Sequence, residues 1–350
     1  MSARASNPEY VNARVRSRRA VLFADEDYRK LIRMGPSEIA RFMEETEYER
    51  EINALGTRFS GVDLIEYALN RNLAKHFDDL LDWSEGRLYD LIGRYLRKFD
   101  VWNVKTIIRG IYTETPTEEV STDLIRAGEL PDSTLDRLLE VDEIDDVIEI
   151  LGGTVFYEPL SEAYQEFEET GALVSLENAL DREFYEHLLD DLGRPQEGPD
   201  ALYVEFLEAE IDFLNARNAL RLARSGADLD PAAYYIEGGV LFTQAELSRL
   251  VGNYDELVDH IADSGRYGDR LGGALARLRE ADSLIQFEHA MDAALLEYAD
   301  TLSSIYPVSV SAVLSYILAK EREVENIRAI ARGREVGLTE AEIEDELVIL

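Results

Sequence analysis

Two sequence signatures recur along this 350-residue chain at a spacing of about 111 residues, and the repeat limits the possible folds more than any other feature. The first signature, Glu-x-Ala-(Leu/Met)-(Asn/Asp), begins at Glu66, Glu177 and Glu288. The second is acid-x-x-Asn-x-base-x-x-x-Arg, with acids at 100, 212 and 323. A match to the second signature is rare by chance, so three copies in phase indicate three related structural units. Its asparagines and bases are Asn103, Lys105 and Arg109; Asn215, Arg217 and Arg221; and Asn326, Arg328 and Arg332.

The repeat predicts three similar domains, at residues 1–115, 116–227 and 228–350. A fourth match to the second signature, Glu9-x-x-Asn12 with Arg14 and Arg18, lies 91 residues before Asn103, so the first interval is the shortest. Each signature helix would then end one unit and lead into the next. The boundaries near 116 and 228 are conventions, because no flexible linker marks them.

Apolar residues at helical spacing fill the long segments of the chain, including 64–81, 173–192 and 284–302. Glycine and proline interrupt them, as at Gly35-Pro36 and Gly152-Gly153. Alternating patterns typical of strands are almost absent. The predicted fold class is therefore all-α.

The second signature forms an amphipathic helix on a helical wheel, with the asparagine at the edge of the apolar arc and the two bases in a separate stripe. One interpretation is structural: the asparagine and the acid hydrogen-bond to a neighbouring helix, while the bases pair with its carboxylates. The other is functional: the base stripes line a surface that grips a partner. Three equivalent helices would form a pseudo-threefold body around a central hollow. The spacing leaves both interpretations open.

The chain carries 72 acidic and 36 basic residues, a net charge of -36, which argues against nucleic-acid binding. Most bases are arginine, and the acid excess is typical of proteins from a salt-rich cytoplasm. The first 33 residues reverse this balance with eight bases and four acids. This basic segment either packs against the acidic body of the chain or docks an acidic partner. The bases are Arg4, Arg14, Arg16, Arg18, Arg19, Arg29, Lys30 and Arg33.

The sequence offers no pattern that indicates catalysis. Cysteine is absent, the four histidines are scattered, and no phosphate-binding loop or nucleophile elbow occurs. We therefore expect no catalytic residue, no cofactor and no metal site. Neither a signal peptide nor a membrane-spanning segment is recognisable. A helical enzyme that uses paired carboxylates stays a weaker alternative.

The segments around Asn12 (Tyr-Val-Asn-Ala-Arg-Val-Arg, 10–16) and Asn103 (Phe-Asp-Val-Trp-Asn-Val-Lys, 99–105) resemble the C subunit of archaeal A-type ATP synthases, the counterpart of the d subunit of vacuolar ATPases. The resemblance covers essentially the whole chain, including Arg332-Gly333 and Gly337-Leu338 near its end. It implies a funnel of three helical domains. The tripled signature agrees with that arrangement independently.

The resemblance also implies a function. Members of that family are non-catalytic rotor parts on the cytoplasmic face of the membrane, where they sit on the proteolipid ring and receive the D and F subunits of the central stalk in their hollow. Contact with the membrane would be peripheral and indirect, through the ring. The alternative is a generic helical scaffold that binds other proteins without rotating.

Overall fold

The computed structural model describes residues 6–190, 192, 197–225, 230–267 and 285–348. Within these ranges the chain is helical and forms no strand, so the all-α prediction is confirmed. Arg4, one of the N-terminal bases, lies outside the described residues. No helix in the described ranges has the length and apolar character needed to cross a membrane.

The chain divides into two compact units, one made of residues 1–161 with 306–349 and the other of 162–305. The first boundary lies inside a helix, and the second separates two long helices. The division into three domains at 1–115, 116–227 and 228–350 stays a prediction.

The first unit combines an N-terminal and a C-terminal part of the chain around two long helices, α5 (Gly61–Trp83) and α17 (Val310–Val336), which pack against each other. Helix α5 buries Ile65, Leu69 and Phe77, while α17 buries Ile317 and Ile327. The other helices of this unit are α1 (Pro8–Arg19), α2 (Asp25–Leu31), α3 (Pro36–Met43), α4 (Glu49–Leu55), α6 (Arg87–Leu96), α7 (Lys98–Tyr112), α8 (Thr117–Asp123), α9 (Asp132–Leu138), α10 (Ile144–Ile150) and α18 (Glu340–Asp345).

Helix α11 (Tyr157–Thr170) contains the boundary between the units. In the second unit the longest helix, α13 (Pro199–Ser225), packs against three other helices and buries Tyr203, Phe206 and Phe213. Its partners are α12 (Val174–Asp190), α15 (Tyr254–Ala262) and α16 (Ile285–Ile305). A short 3₁₀ helix (Pro231–Tyr234) and α14 (Gln244–Leu250) complete the described elements of this unit.

Local sequence explains where several helices begin. Proline occupies the first helical position of α1, α3 and α13, where its fixed φ suits the helix and its missing N–H costs no intrahelical bond. Reciprocal capping starts α14: Thr243 Oγ1 accepts the backbone N–H of Glu246, and Glu246 Oε2 accepts the N–H of Thr243 at 2.9 Å. Thr339 and Glu342 repeat this arrangement at the start of α18.

Candidate functional site

The three asparagines of the second signature lie on α7, α13 and α17, and each clamps one residue that follows it by 21 or 22 positions. Asn103 Nδ2 donates to the carbonyl of Ile125 at 2.8 Å, and Asn103 Oδ1 accepts the N–H of the same residue at 2.8 Å. Asn215 binds Ile236 in this way, and Asn326 binds Val348. A carboxamide carries a donor and an acceptor side by side, so it satisfies both backbone polar groups of one buried residue.

The acids at the start of the first two copies bind backbone amides in the loop that lies beyond the next short helix. Asp100 accepts the N–H groups of Glu129 and Leu130 at 2.7 and 3.0 Å. Burial nevertheless raises the pKa of Asp100 to about 6, although these two donors pull it down. Asp212 accepts the N–H groups of Val240 and Leu241, and burial raises its pKa as well.

A glycine makes each of these close approaches possible. A Cβ atom on Gly128 would lie 2.0 Å from Asp100 Oδ1, and a Cβ on Gly239 would lie 2.2 Å from Asp212 Oδ1. Both distances are far below van der Waals contact, so any other residue would push the carboxylate off the amides. The two glycines occupy equivalent positions in the repeat, a correspondence that the sequence analysis did not detect.

In the third copy the acid is Glu323, and the N-terminal part of the chain supplies the groups that it binds. Glu323 Oε2 accepts the N–H of Phe23 at 2.5 Å, and Oε1 accepts the hydroxyl of Tyr48 at 2.7 Å. Lys320 Nζ, with none of its side chain exposed, lies 2.7 Å from Glu323 Oε1 and 2.9 Å from Tyr48 Oη. The side chain of glutamate, one methylene longer than that of aspartate, reaches a segment in which Leu22 takes the place of glycine.

Tyr48 corresponds to Tyr267 of the second unit. Tyr267 donates its hydroxyl to Asp212 Oδ2 at 2.8 Å, just as Tyr48 donates to Glu323. Burial and the adjacent carboxylate raise the pKa of both tyrosines well above the usual value. The N-terminal segment therefore completes the third copy of the repeat, and this pairing accounts for the presence of α1 and α17 in one unit.

In the second and third copies, the bases of the second signature bind polar side chains of the first signature. Arg221 forms a two-point ion pair with Glu288, with both N–O distances 2.6 Å, and Arg217 Nη2 lies 2.5 Å from Asp292 Oδ1. In the first unit Glu66 receives two arginines, Arg328 Nε at 2.7 Å and Arg332 Nε at 2.6 Å. The two repeated signatures are thus complementary surfaces of neighbouring helices.

Two further acceptors complete the group around Glu66. Asn70 Oδ1 accepts Arg328 Nη2 at 2.6 Å, and Asp123 lies 3.1 Å from Arg332. Glu66 itself is 3% exposed, so its charge is neutralised by the arginines and not by water. The sequence analysis recognised Glu66, Glu177 and Glu288 as a repeat and did not predict which side chains they would bind.

The three asparagines and six bases of the second signature are the nine candidate residues, and the exposure of each depends on its position in the signature. The three asparagines are buried, the first base of each pair is half-buried, and the second base is exposed in all three copies. Arg109, Arg328 and Arg332 also line one open cavity of about 350 Å³ between α7, α8 and α17, beside the half-exposed Trp102. Among the nine, the second bases are therefore the ones most accessible to another molecule.

The fourth, N-terminal match differs from the other three. Asn12 Nδ2 donates to the carbonyls of Pro8 and Ser309, so it does not clamp a residue about 22 positions later. Arg18 pairs with Asp79 on α5 at 2.5 Å. The difference follows from the segment after α1, whose Phe23 is already bound by Glu323.

Histidine, aspartate and glutamate side chains form no group of three or more suited to a metal ion among the residues that the structure describes. The arrangement of the repeated residues instead supports helix-to-helix and helix-to-loop contacts. Such contacts are those of a structural part whose helices are held in register.

Comparison with known proteins identifies the family. The model of the ATP synthase (C/AC39) subunit matches residues 11–346. The chain belongs to this family. It is 68% identical over 345 residues to the A-type ATP synthase C subunit of Haloferax volcanii, covering 99% of this chain and 98% of that protein. The A-type ATP synthase C subunit of Halobacterium salinarum is 56% identical over 347 residues, which cover 99% of this chain and 98% of that protein. The C subunit of Methanosarcina mazei is 34% identical over 348 residues, which cover 99% of this chain and 94% of that protein.

Membership of the ATP synthase (C/AC39) family confirms the resemblance seen in the sequence and establishes the chain as a rotary ATP synthase subunit. The relatives from Haloferax and Halobacterium also support the halophilic interpretation of the acid excess. High salt shortens the range of repulsion between surface carboxylates. The folded state of a chain with net charge -36 is therefore more stable at high salt than at low salt.

Proposed function

We propose that this chain is a non-catalytic part of the central stalk that couples the membrane proteolipid ring to the D/F axle, on the cytoplasmic face of the membrane. The observation that carries the proposal is the match to the ATP synthase subunit family over nearly the whole chain. Ion flow would turn the ring, and this chain would turn with it and transmit torque to the axle.

The internal contacts suit such a role. A part that transmits torque must resist local unfolding. The free energy needed for local unfolding is lowest where few buried contacts hold the backbone. Here each of the helices α7, α13 and α17 is fixed by a clamped residue, and ion pairs join the signature surfaces within both units. These contacts hold the helices to one another and to the segments that follow them.

The test is reconstitution in vesicles that contain the proteolipid ring and the remaining subunits, with and without this chain. We expect the complex without it to hydrolyse ATP while failing to move ions, and we expect added chain to restore ion movement. Coupled ion movement in its absence would refute the proposal.

Within this function, we propose that the second bases, Arg109, Arg221 and Arg332, supply the contact with the stalk. They are exposed in all three copies, although Arg221 and Arg332 also form ion pairs with Glu288 and Glu66. Arg217 and Arg328, the first bases of the same copies, are half-buried in their ion pairs. Replacing the three exposed arginines by glutamine should weaken capture of D and F in molar KCl.

The matched control replaces Arg41 and Arg50, two exposed arginines on α3 and α4 outside the repeat, by glutamine. It should bind D and F as the unaltered chain does. Equal binding by the triple variant and the control would remove the repeated arginines from the interface, while leaving the coupling role to be judged by reconstitution.

A further inference from the structure

The acid of the third copy has fewer backbone donors than its two counterparts. The first two acids each accept two consecutive backbone N–H groups, whereas Glu323 accepts one from the described part of the chain, that of Phe23. The next amide along the chain, that of Ala24, donates to Asp27 Oδ2 at 3.1 Å and caps the start of α2. The start of α2 therefore uses the donor that Glu323 would need in order to match the other copies.

The side chain of Lys320 supplies the missing donor. Its Nζ lies 2.7 Å from Glu323 Oε1 and 2.9 Å from Tyr48 Oη, and none of its side chain is exposed. At the same position, three residues before the acid, the first copy has Arg97 and the second has Ala209. Arg97 pairs with a different carboxylate 2.6 Å away, and alanine has no side-chain donor. The buried lysine is thus specific to the copy in which one backbone amide is used elsewhere.

Lys320 also supplies the counter-charge of Glu323. The other ionisable groups around this pair are Arg18 on α1, Tyr28 on α2, Glu47 and Tyr48 before α4, Glu51 on α4, His76 on α5 and Tyr316 on α17. Burial lowers the pKa of His76 to about 2 and raises the pKa of the three tyrosines, so all four are neutral near pH 7. Arg18 pairs with Asp79. In the described ranges, Lys320 is the cation within hydrogen-bonding distance of Glu323.

The carboxylate of Glu323 fastens both ends of one segment to α17. Phe23 and Tyr48 flank α2 and α3, and Glu323 binds one of them with each of its oxygens. We call residues 23–48 the strap. The rings of Phe23 and Tyr48 also meet edge to face, with their centroids 6.1 Å apart. Because α2 and α3 both pack against α17, the strap covers that helix, and one charged side chain of the helix holds it at its two ends.

We propose that Lys320 is a positioning residue that holds Glu323 in its charged form, and that the two side chains lock the strap over α17. Removing one partner of a buried ion pair leaves an unpaired charge in the protein interior, whereas removing both partners leaves none. Loss of the lysine charge alone therefore opens the strap, and loss of both charges leaves it closed. This lock goes beyond the proposed function and involves neither the ring nor the stalk, so its test and the reconstitution of coupled ion movement succeed or fail separately.

The test is hydrogen exchange of the full chain in molar KCl at pH 8 and pH 5, measured by mass spectrometry on peptides from the strap. Lys320→Met removes the charge and keeps an unbranched side chain. At pH 8 it should lower the protection of the strap about 100-fold or more, relative to the unaltered chain at the same pH. At pH 5 the unpaired carboxyl group of Glu323 takes up a proton, and the loss should shrink to less than about tenfold.

The double variant Lys320→Met with Glu323→Gln separates the effect of charge from that of packing. It contains no unpaired charge, so the protection of the strap should stay within about tenfold of the unaltered chain at both pH values. Burial also raises the pKa values of Asp100 and Glu47. Both carboxyl groups are present in the single and the double variant, so a difference between the two variants reports Glu323.

Lys30→Met is the matched control, because Lys30 lies on the strap itself, has a side chain that is 54% exposed and pairs with Asp27 at 3.0 Å. It should leave the protection of the strap within about tenfold of the unaltered chain at both pH values. Peptides around Val240, whose amide Asp212 binds in the second copy, should keep their protection in every variant.

Protection of Lys320→Met equal to that of the unaltered chain at pH 8 would overturn the proposal, and so would a loss that is the same at pH 5. Equal losses in the single and double variants would also overturn it, because the packing of the lysine and not its charge would then hold the strap. If Lys320→Met does not fold at pH 8, circular dichroism of the double variant decides. A folded double variant would support the lock, and one that also fails to fold would overturn it.

Discussion

Replacing Glu66 by glutamine tests whether the complementary signatures stabilise the first unit. Glu66 is 3% exposed, and its two oxygens accept the Nε–H groups of Arg328 and Arg332. Glutamine keeps the shape of the side chain, but it removes the negative charge and turns one acceptor into a donor that faces an arginine. The largely buried guanidinium of Arg328 then lacks a counter-charge.

The magnitude follows from the exposure of the two arginines. A hydrogen bond to a charged group contributes about 1.5–3 kcal/mol when buried, and the Arg328 side chain is only 16% exposed. The Arg332 side chain is 53% exposed, so solvent screening reduces its share to at most about 1 kcal/mol. We expect Glu66→Gln to lower the free energy of unfolding by about 2–3 kcal/mol.

Glu288→Gln is the matched control, because it makes the same change at the equivalent position of the second unit. The Arg221 side chain that pairs with Glu288 is 56% exposed, so the expected loss is only about 0.5–1 kcal/mol. The difference between the two variants reports the greater burial of the Glu66 site together with the second arginine that Glu66 binds.

Tryptophan fluorescence separates the two units, because both tryptophans of the chain, Trp83 and Trp102, lie in the first one. In urea titrations in molar KCl, Glu66→Gln should shift the fluorescence transition to lower urea. Glu288→Gln should leave that transition unchanged and affect only the circular dichroism signal. A fluorescence shift below about 0.5 kcal/mol for Glu66→Gln, or an equal shift for both variants, would refute the reasoning.

Four other changes should be measurable by urea titration or circular dichroism. Asn215→Ala should cost about 2–4 kcal/mol, because it strands the buried N–H and carbonyl of Ile236; an unchanged midpoint would contradict the clamp. Gly239→Ala should cost about 2 kcal/mol or more, since the new Cβ would lie 2.2 Å from a carboxylate oxygen, whereas Gly252→Ala, whose nearest contact is 3.6 Å away, should be tolerated. With a pKa of about 6 when folded against an ordinary 3.8, the Asp100 carboxyl keeps its proton longer in the folded state, so its contribution is complete below about pH 4 and is lost as the pH rises through 6. Unaltered chain should therefore lose about 3 kcal/mol more than Asp100→Asn over that range, and parallel pH profiles would refute this. Dialysis from molar KCl into dilute buffer should reduce the helical signal, because the 72 acidic side chains then repel one another over a longer range; an unchanged spectrum would dismiss the halophilic interpretation.

The repeated signatures illustrate how far sequence reasoning reached at the candidate site. Spacing alone placed each asparagine beside the apolar arc of a helix and each pair of bases in one stripe, because those relations follow from about 3.6 residues per turn. The partners could not be found in this way. Arg328 and Glu66 are 262 positions apart, and only the packing of α17 on α5 brings them within 2.7 Å.

The N-terminal segment shows the same limit. Its residues Glu9 and Asn12 belong to a fourth match to the second signature, but Asn12 binds Ser309 and does not form the clamp, while Phe23 and Tyr48 complete the third copy instead. The burial of Lys320 could not be predicted from the sequence either, because lysine side chains are usually exposed. Lys320 is buried because the carboxylate of Glu323 and the hydroxyl of Tyr48 lie beside its ammonium group.

The sequence by itself determined the all-helical class, the period of about 111 residues and the resemblance to the C subunit of A-type ATP synthases. These properties are local, or they recur at fixed intervals, so the order of residues along the chain is enough to detect them. The tertiary structure decided which signature surfaces meet, which bases stay exposed and which acid binds the N-terminal segment. Those choices depend on the burial of apolar faces between helices far apart in the chain, and burial is a property of the whole packed unit.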